Sequence, residues 1–103
     1  MAIIHTFTPD EHKELNAIIS LLREERSLLM QAHEFLEKAL EAFRNGDIMG
    51  SVRLGEQAYE RKLKALDIKD EAIDRYEALL NYIAPAERRT TNVRTGDSQD
   101  KRP

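Results

Sequence analysis

Leu15, Leu22, Leu29, Leu36 and Phe43 stand seven residues apart, and Val52, Tyr59, Leu66, Ile73 and Leu80 repeat that spacing in the second half of the chain. A seven-residue apolar period keeps one stripe of an α-helix facing a neighbour over many turns, and no strand pattern produces it. The chain is therefore expected to form two long amphipathic helices.

The boundaries of those helices follow from residue chemistry. Thr8-Pro9-Asp10-Glu11 offers a capping hydroxyl, a proline suited to the first helical position, and a glutamate three residues after the cap. The helical pattern then runs to Arg44, where Asn45-Gly46-Asp47 supplies a left-handed stop followed by a new N-cap. The second helix is expected from Ile48 to Ala84, ended by Pro85, which lacks an amide donor. With about 36 residues each, both helices are about 54 Å long. The expected fold class is all-α, a long antiparallel hairpin of about 9–44 and 48–84.

Helix one carries more apolar surface than a single partner helix covers. Ile18, Ile19, Leu21, Leu28, Ala32, Phe35, Ala39, Leu40 and Ala42 widen its stripe. A homodimer closing into a four-helix, coiled-coil-like bundle would bury the excess, as would a break near residues 67–70 that folds back a third helix. No glycine or proline lies at 67–70 and the heptad phase passes through without a slip, so the dimer is the reading adopted. The expected assembly interface comprises Leu15, Ile19, Leu22, Leu29, Leu36 and Phe43 with Val52, Tyr59, Leu66, Ile73 and Leu80.

Residues 1–84 thus form one hairpin domain with a short N-terminal extension at 1–8, and 85–103 form a polar, basic tail. A hydrophobic fraction of 41% beside a charged fraction of 34% places the chain among folded helical proteins with charged outer faces. The formal net charge of −3 gives the body no overall attraction for nucleic acid or an anionic membrane. The sequence contains no cysteine, which excludes disulfides, thiolate catalysis and cysteine-ligated metals. The start lacks the pattern of a secretory signal and no apolar run is long enough to insert in a membrane, so a cytoplasmic location is expected.

Several constellations bear on function. With the turn at 45–47, residues facing each other across the hairpin should have numbers adding to about 92. Glu25 and Arg26 would then come level with Lys69 and Asp70, forming a polar layer that fixes register. His33 would face Tyr59 on the inner side, and Gly55 would admit Phe35 and Leu36. The acidic pairs Glu34/Glu37 and Glu71/Asp74 have the spacing of helical magnesium-dependent nucleotide pyrophosphohydrolases but lie far apart in this register. Neither His12 nor His33 has a glutamate three residues before it, so the inward Glu-x-x-His ligand pair of di-metal bundles is missing. No catalytic residue, metal ligand or cofactor site is assigned.

Ala42-Phe43-Arg44-Asn45-Gly46-Asp47, followed by Gly55-Glu56-Gln57-Ala58, resembles a single tetratricopeptide-type hairpin. It covers about a quarter of the chain, does not recur, and implies helical-hairpin packing alone. The expected architecture also resembles small dimeric RNA-binding hairpins, without an evident basic face. The function expected is that of a non-enzymatic interaction protein, a small dimeric regulator, inhibitor or adaptor of a larger protein. Its candidate partner contacts are Ile3, Ile4 and Phe7, which need a docking place ahead of the cap, and Arg88, Arg89 and Arg94 in the tail. A nucleic-acid accessory role through those arginines is the alternative, and a magnesium-dependent nucleotide pyrophosphohydrolase is the remote one.

Overall fold

The computed structural model describes residues 4–84, and the tail lies outside them. Among the described residues there are two helices, α1 (Pro9–Arg44) and α2 (Ile48–Ile83), of 36 residues each, packed side by side as a hairpin. α2 continues unbroken through 67–70, so among the described residues no third helix folds back there.

Three residues make the turn. The Gly46 amide donates to the Phe43 carbonyl at 3.0 Å and the Asp47 amide to the Ala42 carbonyl at 2.8 Å, the paired bonds of a Schellman stop. This stop requires a left-handed residue, and Gly46 sits at φ +85°. Asp47 then caps α2, its Oδ1 accepting from the Gly50 amide at 3.0 Å. At the other end of α1 the capping box forms in full. The Glu11 amide donates to Thr8 Oγ1 at 3.2 Å, while Glu11 Oε1 accepts from the Thr8 amide at 2.9 Å.

The helices meet along a narrow seam of alternating three- and four-residue steps. On α1 it comprises Ile18, Leu21, Glu25, Leu28, Ala32, Phe35, Ala39 and Ala42; on α2, Leu54, Ala58, Arg61, Ala65, Ile68, Ala72 and Arg75. Ala39, Ala65 and Ala72 are buried, and of the large side chains in this seam Ile18 alone is. Alanine recurs in the seam on both helices, at 32, 39 and 42 on α1 and at 58, 65 and 72 on α2, and small side chains let two helix backbones come close. Three cross-hairpin contacts set the register: Glu14 with Arg75, Gln31 with Arg61, and the Ala39 carbonyl with the Ser51 hydroxyl at 2.8 Å. Their residue numbers add to 89, 92 and 90, within three of the expected value.

The heptad residues do not form this seam. They follow it by one position on each helix and lie on one flank, with Leu22, Leu29, Leu36, Leu66 and Ile73 between 43% and 49% exposed and Phe43 and Tyr59 at 62% and 60%. Leu15 and Leu80, near the helix ends, are half-buried.

Gly46→Ala is expected to destabilise the hairpin by about 1 kcal/mol, because a Cβ opposes the left-handed backbone. Urea unfolding followed by circular dichroism checks this value.

Candidate protein-interaction face

Two faces of the hairpin differ in chemistry. One is clasped by polar bonds across the seam. The Arg75 guanidinium donates from Nε to Glu14 Oε2 at 2.8 Å and from Nη2 to Glu14 Oε1 at 3.0 Å, a two-pronged contact that also holds Arg75 firmly protonated. Arg61 Nε donates to Gln31 Oε1 at 3.0 Å, and its guanidinium carbon lies 5.2 Å from the centre of the Phe35 ring, with Lys38 near the same ring.

The other face is open and apolar. Following the seam by one residue gives a second row on each helix at the same three–four spacing. On α1 it reads Leu15, Ile19, Leu22, Arg26, Leu29, His33, Leu36, Leu40 and Phe43; on α2, Ile48, Val52, Gly55, Tyr59, Lys62, Leu66, Lys69, Ile73, Tyr76 and Leu80. The rows border a groove between the helices. Near its middle the groove is walled by Leu29, His33 and Leu36 on α1 and by Gly55, Tyr59 and Lys62 on α2, with Ala32 and Ala58 beneath. Toward the open end of the hairpin, Ile18, Leu22, Ala72, Ile73 and Tyr76 continue it. Exposed apolar surface running the length of two helices far exceeds the scattered apolar residues of an ordinary protein surface.

Several sequence expectations find different surroundings here. His33 is not on the inner side: its side chain is 71% exposed and pairs with Glu37 at 3.5 Å, although it shares the groove with Tyr59. A Cβ on Gly55 would meet nothing within 4 Å, so this glycine is not needed to admit Phe35 or Leu36 inside the hairpin. Gly50 is the crowded one, because a Cβ there would run into the capping carboxylate of Asp47. Of the polar layer, Glu25 is half-buried in the seam while Arg26, Lys69 and Asp70 are exposed, and among the described residues no ion pair joins the four. Glu37 and Glu71 are each taken up by a basic neighbour four residues away, and no group of three or more His, Asp or Glu side chains that could hold a metal occurs among the described residues.

The N-terminal extension is tied to α1 by a device that sequence reasoning read only in part. Phe7 packs edge-on against His5 at 4.7 Å and lies 5.7 Å from His12, four residues into the helix, which is the geometry of a hydrophobic staple. His5 Nε2 lies 3.0 Å from Glu11 Oε1, so the buried Glu11 carboxylate serves the cap and the extension together. The His5 contact and, after it, the Thr8 amide hold the Glu11 pKa below its ordinary value of 4.5. Ile4 is 88% exposed, while Ile3, Arg88, Arg89 and Arg94 lie outside the described residues.

Comparison of the chain with protein-family models, with curated proteins and with solved structures finds no match. Among the described residues, neither helix is long and apolar enough to cross a membrane.

A carboxylate whose folded-state pKa is lowered contributes its full stabilisation above the unfolded value and loses it as acid protonates the folded form. The stability difference between the wild type and Glu11→Gln is therefore expected to be largest above pH 4.5 and to close on acidification below it. Thermal melts of both proteins between pH 3 and pH 7 (about four units across the carboxylate range) measure that difference.

Proposed function

We propose that this chain is a non-enzymatic, cytoplasmic protein–protein interaction module whose working surface is the open apolar face, and that in the absence of another protein it pairs through that face with a second copy to form a four-helix bundle. The observation that carries the reading is the mainly apolar row on each helix, interrupted only near its middle by Arg26, His33, Gly55, Lys62 and Lys69, set beside the seam and left between two-fifths and two-thirds exposed at most apolar positions. A monomer has no use for a second coiled-coil stripe parallel to the one it already buries.

Size supports self-pairing. Two helices, each about 10 Å wide and about 54 Å long, present a face on the order of 1,000 Å², above the roughly 800 Å² per partner of a stable standard interface. Because α1 and α2 both span 36 residues, a second hairpin laid on this face covers it from end to end without overhang. Helix-in-groove burial of this kind is also how small helical proteins regulate, inhibit or tether larger ones, and a regulator or adaptor of a larger protein is the role proposed.

Sedimentation velocity across a concentration series tests the self-pairing. The wild type is expected to sediment as a dimer in the micromolar range. A Leu22→Glu/Leu36→Glu double variant is expected to sediment as a single chain with unchanged helicity, since both positions are already nearly half exposed in the hairpin. A wild type that stays monomeric at every concentration overturns the dimer.

A further inference from the structure

The charged members of the open face between its two ends are all cations, Arg26 on α1 and Lys62 and Lys69 on α2, and His33 lies in the same row as Arg26. Neither row holds a carboxylate, although the chain has 19 acidic residues against 16 Lys and Arg; Glu34 and Glu37 border Arg26 and His33 from outside the row. The partner of His33, Glu37, lies outside the row. The register places these residues along the axis: Lys69 comes level with about residue 21 of α1 and Lys62 with about residue 28, by the antiparallel pairing of Ala39 with Ser51. Together with positions 26 and 33 they form a belt centred on the middle of α1, which runs from 9 to 44. Apolar surface flanks the belt on both sides.

That symmetry has a physical consequence. Because the belt is centred on the midpoint, any second copy that covers the whole face, running parallel or antiparallel, lays its own belt on this one. The apolar ends are satisfied while like charges meet in the middle, the arrangement that interfaces use to reject a partner. A helix with apolar rows at both ends and carboxylates in between satisfies both chemistries. A nucleic-acid strand matches the cations but leaves the leucine rows uncovered, and this favours protein.

We propose that the preferred occupant of the open face is a helical segment of another protein, apolar at its ends and acidic in its central two heptads, which displaces the second copy. This rests on the reading of the face as an interaction surface and names the chemistry of its partner.

Two synthetic amphipathic peptides as long as α1 serve as probes, identical in their leucine rows and differing only in carrying glutamate or lysine at the central polar positions. Titrated into the full chain by fluorescence anisotropy, the glutamate peptide is expected to bind at least ~10-fold more tightly than the lysine peptide, and to dissociate the dimer as judged by sedimentation. In an Arg26→Glu/Lys62→Glu/Lys69→Glu variant the preference is expected to reverse. Equal binding of the two peptides, or an unchanged preference in the charge-reversed variant, overturns the proposal while leaving the face an interaction surface. So does a dimer that neither peptide displaces, since the second copy is then the occupant, and so does tighter binding of a single-stranded oligonucleotide. A chain that is monomeric and binds neither peptide removes the interaction surface itself, and the proposal with it.

Discussion

The close approach of α1 and α2 across alanine governs everything else in this hairpin. Ala39, Ala65 and Ala72 are the most completely buried apolar residues, and Ala32 and Ala58 lie along the same line. Alanine contributes little apolar area, so the hairpin's own core is thin for a chain of this length. The larger apolar side chains are pushed outward: with α2's alanines filling the seam, Val52, Tyr59, Leu66 and Ile73 turn onto the flank, and Leu22, Leu29 and Leu36 stand beside them. A small-residue seam thereby turns what would otherwise be core into surface.

Two sets of directional contacts keep that thin core in one register. At the turn, the Schellman bonds and the Asp47 cap leave little freedom in how α2 leaves α1. Toward the far end, the two-pronged Glu14–Arg75 contact joins residues 61 apart in the chain, and near the middle Gln31–Arg61 joins residues 30 apart. These bonds lie on the face opposite the open one. One side of the hairpin is thus closed by hydrogen bonds, and the other is left free for apolar contact without disturbing the register.

Much of this was readable beforehand. Thr8-Pro9-Asp10-Glu11 and Asn45-Gly46-Asp47 carry their own chemistry, and the helix ends fall within a residue of where those signals place them. The cross-hairpin register also followed from the turn to within three residues. Side-chain surroundings were less accessible. Glu14 and Arg75 meet because a difference of one turn along the axis brings them level, which periodicity cannot resolve. The same limit put His33 inside when it lies outside, and made Gly55 look crowded when the crowded glycine is Gly50. Lys62 and Tyr76 were missed although they sit three residues after Tyr59 and Ile73, on the continuation of the same row.

By itself the sequence determined that there are two helices, where each begins and ends, and that the chain reverses at Gly46. Those outcomes depend on capping groups, a left-handed glycine and a seven-residue period, all of which act over a few neighbouring positions. Only the tertiary structure decided which of two adjacent apolar rows faces the sister helix. The rows differ by one residue, about 100° around the axis, and the one richer in large apolar side chains is left outside. The choice goes to the rows that hold the alanines, Ala32, Ala39 and Ala42 on α1 and Ala58, Ala65 and Ala72 on α2, because small side chains let two helices approach more closely than rows of leucine and tyrosine do.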